Sequence, residues 1–231
     1  MKEAILTITP NPALDISGFV RKINVNEKTY VHGEKRSPGG SAINVARILH
    51  RLQVPVLASG FLGGSIGEEV QKLLELEGVQ QQFIKTEAST RINVTIANKS
   101  DHRQTRFSFA GPEIKNTEIR ELMKIVSKHR GAKTLVVGGS LPPHFQVQDL
   151  NRLIQRAQQQ KMDVVVDCPG LILKEIRASG LLLIKPNLDE FRIMTGSRVT
   201  TVSQVLKKAG GLLQTASYIC VSSVEEGASW K

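Results

Sequence analysis

The feature that most constrains this 231-residue chain is a repeated alternation of short apolar, β-rich runs with stretches of helical spacing. Runs at 5–9, 55–61, 134–137, 163–167, 181–184 and 218–221 read as strands. Between them, 41–52, 67–77, 116–128, 148–160 and 203–215 read as helices, and another helix opens near Asn187. Within 41–52, Ala42, Val45, Ala46, Leu49 and Leu52 share one face at three- and four-residue steps. Gly78 closes the second helix, and Thr117 is placed to cap the third. Strands that are apolar almost throughout have to be covered on both faces. The alternation therefore predicts an α/β fold, a parallel sheet sandwiched between helices.

Two regions break the rhythm. Residues 15–20 and 28–34 read as strands joined by a loop, and 90–97 with 103–110 as a hairpin about Asn98-Lys99-Ser100-Asp101. No helix separates the members of either pair, so a small antiparallel sheet is expected beside the main one, its strands lying at about 13–36 and 88–111 within a single 1–231 unit. Asp15, Lys28, Arg91, Asn93 and Arg106 all fall in it. Such a concentration of charged and amide side chains favours a lid closing over a ligand rather than an edge extension.

The formal net charge is +10, which raises nucleic-acid binding. The lysines and arginines are dispersed, however, and seven Phe, two Tyr and one Trp leave few platforms for base stacking. A small, highly anionic substrate suits dispersed charge at least as well. No apolar run is long enough to span a bilayer, and the opening residues read as a strand rather than a secretory leader. Cys168 and Cys220 sit in apolar, strand-like runs without metal-ligand spacing, as in a reducing, cytoplasmic setting.

Three motifs point to chemistry. Pro38-Gly39-Gly40-Ser41-Ala42-Ile43-Asn44 is a glycine pair opening a helix, where backbone can approach a ligand and free N–H groups point at it. The same glycines also serve a tight strand-to-helix turn, and the spacing is neither Gly-x-Gly-x-x-Gly nor a P-loop. Val136-Val137-Gly138-Gly139-Ser140-Leu141-Pro142-Pro143 runs a strand into a turn at the sheet edge where open parallel sheets bind ligands. Leu183-Ile184-Lys185-Pro186-Asn187-Leu188-Asp189-Glu190 ends a strand with an amide and a carboxylate one helical turn apart. That pair suits hydrated Mg²⁺ beside phosphates, and equally an Asn cap with a capping-box Glu. Lys28, Arg91 and Arg106 are candidates to converge on a phosphate.

Together these motifs resemble the ribokinase-type sugar kinases, specifically the phosphofructokinase B branch. Asn11-Pro12-Ala13-Leu14-Asp15 is similar to that branch's opening motif, and Gly39-Gly40 through Asn44 to the family's first signature. Thr90-Arg91-Ile92-Asn93-Val94, Gly139-Ser140-Leu141-Pro142-Pro143, Asp167 and Lys185 through Glu190 follow in family order, and Val221-Ser222 with Gly227 resembles the nucleotide-site strand and turn. The resemblance implies a ribokinase-like sandwich with a β-sheet lid, ATP as co-substrate with Mg²⁺, and a homodimer formed through the lid. It implies that Asp15, Gly39, Gly40 and Asn44 hold the sugar, that Lys28 and Arg91, with Arg106, hold its phosphate, and that Ser140 lies near that phosphate. Lys185, Asn187, Ser222 and Gly227 are implied at ATP, and Glu190 at the metal through water.

The sequence departs from the family pattern in places. Gly-Gly-Ser-Ala is poorer in glycine than is usual for 6-phosphofructokinases, His144 stands where Gly usually follows the two prolines, and Asp167-Cys168-Pro169-Gly170 replaces a more usual Asp-Ser/Thr-Ser-Gly. Family members carry a Gly-Ala-Gly-Asp turn that supplies an anion hole and the catalytic base. It occurs nowhere in residues 1–231. The resemblance therefore implies a kinase lacking its C-terminal part, with no catalytic residue in this chain and the expected aspartate beyond Lys231. The reaction implied is transfer of the ATP γ-phosphoryl group to a ketohexose phosphate. Fructose 6-phosphate is favoured over tagatose 6-phosphate and fructose 1-phosphate, and the alternative is a non-catalytic remnant that binds sugar phosphate.

Overall fold

Strand-like runs around Ile8, Val137 and Val166 meet side by side in one sheet, because each is apolar on both faces and satisfies its backbone only against another strand. The computed structural model describes residues 4–24, 26–223 and 227–230. In chain order the elements are β1 (Ala4–Thr9), β2 (Ala13–Val20), β3 (His32–Gly39), α1 (Ser41–Arg51), β4 (Val56–Gly63), α2 (Gly64–Leu76), β5 (Ile84–Thr86), β6 (Arg91–Asn98) and β7 (Arg103–Ser108). They continue as α3 (Asn116–Lys128), β8 (Ala132–Gly138), α4 (Val147–Gln159), β9 (Asp163–Asp167), α5 (Gly170–Glu175), β10 (Leu181–Ile184), α6 (Leu188–Thr195), α7 (Val202–Gly210), β11 (Ala216–Ser223) and β12 (Gly227–Trp230).

The large sheet has the order β12-β11-β10-β9-β8-β1-β4-β5. Pairing is parallel from β11 across to β5, and β12 alone runs antiparallel, against β11. Leu6 lies in register with Leu57 on one side and Leu135 on the other, and Leu135 with Val164. That row packs against α3 and α4 through Leu122, Leu150, Leu153 and Ile154, all fully buried. On the opposite face Ile43 and Ala46 of α1 and Val70 and Leu74 of α2 cover β1 and β4. Phe191, Val205 and Ala209 pack with Ile219 and Val221 of β11. Both faces are layered with helix, as the unbroken apolar strands predict. No helix among the described residues is long and apolar enough to cross a membrane.

The small sheet has the order β3-β2-β6-β7. It corrects the expected antiparallel flap, because its central pair, β2 and β6, is parallel. Four elements of the body, α1 through β5, intervene between β3 and β6, so the chain returns to the body before β6 and leaves it in the direction of β2 again. The register alternates chemistry: Ser37, Asp15, Asn93 and Ser108 form one row, and Arg36, Ile16, Val94 and Phe107 the next. Leu14, Ile16 and Ile92 bury their side of the sheet against α2. Arg36 reinforces this dock with two bonds to the Glu69 carboxylate, 2.6 and 2.7 Å.

Other corrections are local. The strand expected at 28–34 begins instead at His32, because pairing with β2 starts only at Phe19, and residues 21–31 make the connection. Helix α3 is capped at Lys115, where the backbone N–H donates to Glu118 Oε2 at 2.7 Å, so Thr117 lies inside the first turn. Helix α7 stops at Gly210, where a second glycine follows and weakens the helix; 211–215 turn into β11. Elements β5 and α5 went unforeseen because three and six residues are too short to show a period. Strand β11 continues past Val221-Ser222 to Ser223; residues 224–226 lie outside the described residues.

Helix α1 is tied to the end of α2 by Arg47, whose Nε and Nη2 donate to the Glu77 carboxylate at 2.8 and 2.6 Å. These bonds hold the Glu77 carboxyl below the ordinary glutamate range, against the opposing effect of its partial burial. A depressed folded-state value means that the pair stabilises fully above the unfolded glutamate pKa of about 4.3 and is lost as pH falls below it. Thermal unfolding of wild type against Glu77→Gln between pH 6 and pH 3 should therefore converge at the acid end. A constant difference across that range would contradict it.

Candidate active site

Every parallel strand delivers its carboxyl end to one edge of the large sheet, and the small sheet meets the body along that edge. The β3–α1 junction lies at the centre. Gly40 adopts φ +130°, open to glycine and unfavourable for other residues. A Cβ at Gly39 would fall 2.5 Å from the Asp15 carboxylate, so this turn is glycine because a carboxylate sits on it. The N-terminus of α1 is held against the sheet by Thr9, whose Oγ1 accepts from Ile43 N at 2.8 Å.

On the small-sheet side, Asn93 Nδ2 donates to Asp15 Oδ1 at 2.7 Å, and Arg106 Nη2 stands 3.8 Å from the same oxygen. Asn93 is fully buried, and its Oδ1 has no hydrogen-bond partner among the described residues. Arg91 is partly buried at the start of β6. Its Nη2 and Nε donate to Asn11 O at 3.0 and 3.3 Å, and its Nη1 donates to Phe109 O at 2.9 Å. Burial pushes the Arg91 guanidinium below its usual range, with nearby Asp15 opposing that shift. Lys28 is not brought to this group. It lies in the exposed β2–β3 connection with its ammonium 5.0 Å from the Tyr30 ring centroid. The expectation that Lys28 sits on a strand of the small sheet is thereby corrected.

On the body side, Asp167 at the end of β9 accepts from the Ser41 hydroxyl and lies 3.3 Å from Lys185 Nζ. Its backbone carbonyl accepts from Gly139 N at 2.8 Å, binding the Gly138-Gly139-Ser140 turn to the same point. A cleft of about 360 Å³ opens between α1 and Asp167, lined by Ser41, Asn44, Val45, Ile48 and Leu49. Asn44 is exposed there and accepts from Arg47 Nη1 at 3.3 Å. Neighbouring Cys168 is fully buried, and its thiol is pushed up by desolvation and by Asp167 and Glu190, which makes it inert.

Asn187 and Glu190 form a reciprocal capping box on α6: Glu190 N donates to Asn187 Oδ1 and Asn187 N to Glu190 Oε2, both at 2.8 Å. Ser222 pairs with Asn187 in a parallel bridge, its N–H donating to Pro186 O at 3.1 Å. Gly227 opens β12 opposite Ser223. Lys231, beyond which the catalytic aspartate is expected, lies outside the described residues. The structure thus gathers Lys185, Asn187, Glu190 and Ser222 along one edge, and gathers Asp15, Gly39, Gly40, Arg91 and Arg106 beside them. Sequence reasoning left three participants out: Ser41, Asp167 as a shared acceptor, and Asn11, whose amide donates to Ser140 Oγ at 3.2 Å. The signals were a serine directly after the glycine pair and an aspartate ending an apolar strand.

Residues 11–231 match the model of the pfkB family of carbohydrate kinases. The chain belongs to that family. Among its relatives are a 1-phosphofructokinase of Haloferax volcanii, 32% identical over 226 residues covering 97% of this chain and 72% of that protein, and a tagatose-6-phosphate kinase of Staphylococcus epidermidis, 31% identical over 229 residues covering 97% and 73%. In three dimensions it overlays phosphofructokinase-2 from Escherichia coli in complex with fructose-6-phosphate. The TM-score is 0.91 and the identity 29%, covering 100% of this chain and 77% of that one. The fold is thus the ribokinase-like one, and the chain is of the sugar-phosphate kinase type, with ATP as the co-substrate that a kinase family implies.

Among the described residues no group of three or more His, Cys, Asp or Glu is arranged to hold a metal ion. Magnesium does not require one, since it is usually bound by one or two carboxylates together with substrate phosphates and water. Asp167 ends β9 and Glu190 lies in the first turn of α6, and these are the carboxylates such an ion would use. The capping box has a testable consequence of its own. Asn187→Ala should lower stability by about 0.5–2 kcal/mol in urea unfolding, the usual cost of a lost N-cap. An unchanged midpoint would show that α6 starts without it.

Proposed function

We propose that residues 1–231 bind a ketohexose phosphate, fructose 6-phosphate first, between the small sheet as a lid and the strand-end edge. The observation that carries this reading is the convergence on the Gly39-Gly40 turn of two polar groups, Asp15 with Asn93 and Arg106 on one side and Ser41 with Asp167 and Lys185 on the other. Asp15 and Asn44 accept sugar hydroxyls, and the Gly39-Gly40 backbone allows close approach. Arg106 and the two Arg91 N–H groups not spent on carbonyls attract the phosphate, with Ser140 donating to it. Lys28 serves the same phosphate only if its loop moves or a partner's loop supplies it. Lys185, Asn187, Ser222 and Gly227 border ATP. Glu190, with Asp167, would hold its Mg²⁺ through water, and such an ion would supply neutralisation of phosphate charge. The two free cysteines, both buried, fit a cytoplasmic setting.

Asp167 is already engaged by a lysine and a serine on the nucleotide side, so it is not the base that takes the sugar hydroxyl proton. With no Gly-Ala-Gly-Asp in residues 1–231, this stretch alone should bind sugar phosphate with negligible turnover. Calorimetry with fructose 6-phosphate, tagatose 6-phosphate and fructose 1-phosphate should rank the first tightest, with Asp15→Ala weakening it by about 1.5–3 kcal/mol. Equal affinity in that variant removes the role of Asp15. Fructose 1,6-bisphosphate formation by residues 1–231 alone would place the base inside these residues.

The reading extends to assembly as a homodimer through the lid. Strand β7 is exposed along its whole length at the sheet edge, and Phe107 on it and Phe109 just after it are 58% and 60% exposed. A bare edge that carries exposed aromatics invites a second copy. Sedimentation should show a discrete dimer that Phe107→Asp converts to monomer; monomer at high concentration in wild type would overturn it.

A further inference from the structure

Asn11 stands between two prolines, Pro10 and Pro12, at the crossing from β1 to β2. The prolines lack N–H groups and the chain bends at Pro10 and Asn11, so this crossing forms no strand ladder and its carbonyls need other donors. Arg91 collects them: Asn11 O and Pro12 O accept from its guanidinium, as does Phe109 O where the chain leaves β7. The Asn11 carboxamide is 2% exposed and spends both of its N–H groups. One reaches Ala110 O at 2.8 Å, also on the way out of β7, and the other reaches Ser140 Oγ at 3.2 Å at the end of β8.

The amide cannot be reversed, because that would set its oxygen against the Ala110 carbonyl. Its Oδ1 is buried without a partner among the described residues. It faces Gly111, where φ is +99° and a Cβ would overlap it. A buried acceptor left unsatisfied is a net cost, so the residue is held for its two donors. Three crossings between the small sheet and the body are thus knotted through Arg91 and Asn11, and Asn11 extends that knot to the Ser140 turn.

We propose that Asn11 is a positioning residue: its amide registers the small sheet against the turn that carries Ser140, so that lid position and the Ser140 hydroxyl move together. Its consequence for ligand affinity rests on the sugar-phosphate reading above; the registration itself does not. The test is amide hydrogen exchange on the ligand-free chain, together with calorimetry using fructose 6-phosphate. Asn11→Leu, similar in volume and without donors, should speed exchange in both 109–111 and 138–141 by about fivefold, the factor one net hydrogen bond supports. Ser140→Ala should speed 138–141, and the double variant should add nothing there. Affinity should follow the same pattern: about fivefold weaker in each single variant and no weaker in the double. A purely structural role would lower the melting temperature without that non-additivity. Unchanged exchange at 138–141 in Asn11→Leu, or independent multiplying effects, overturns the proposal. Should the leucine variant not fold, Asn11→Ala carries the same comparison. If wild type binds no fructose 6-phosphate, the substrate reading fails while the exchange arm still decides the registration.

Discussion

Parallel pairing of β1 with β4 on one side and β8 on the other is the constraint on which the remaining structure rests. Parallel neighbours need long crossovers, and these supply α1 and α2 on one face and α3 and α4 on the other. The same pairing sends the ends of β1, β4, β8 and β9 to one edge. Thr9, at the end of β1, then holds the first turn of α1 through Ile43 N. With α1 so anchored, Ser41 reaches Asp167, two strands away from β1 in the sheet. A one-residue slip of β1 would exchange Leu6 and Ile8 with Thr7 and Thr9, turning hydroxyls into the α3–α4 core and leucine toward the site.

The small sheet uses the strand period differently. One face buries Leu14, Ile16 and Ile92 on α2, while the intervening positions put Asp15 and Asn93 opposite each other on the site side. The carboxylate and amide are thereby held by a two-residue period rather than by a loop, which fixes them against rigid backbone. Arg91 illustrates the cost of relying on residue type. Its charge suggested a phosphate ligand, yet three of its N–H groups organise backbone carbonyls first. An arginine that does both joins the shape of the site to its charge.

Much was legible in the chain because strong periodic signals are local. The apolar runs that became β1, β8, β9 and β10 and the hairpin β6–β7 follow from spacing alone, whereas the face expected on α1 is met only in part: Ala42 and Ala46 are buried, but Leu52 is 67% exposed and Ile43, outside that face, is fully buried. The capping box of Asn187 and Glu190 was visible as a three-residue offset after a strand. Short elements such as β5 and α5 carry too few residues for a period, and the start of β3 depended on a partner strand rather than on its own composition.

What the sequence by itself determined is the class of fold and a set of candidate site residues: alternation dictates a parallel sheet, and glycine pairs, Asp15, Lys185 and Glu190 fall at or beside its carboxyl-end edge. What only the tertiary structure decided is which of those residues meet. The parallel β2–β6 pair, the sharing of Asp167 between Ser41 and Lys185, the withdrawal of Lys28 into an exposed loop and the Asn11–Ser140 bond all join residues far apart in the chain. Their proximity is set by strand order and register, which arise from burying many side chains at once. No local pattern of charge or hydropathy encodes that collective choice.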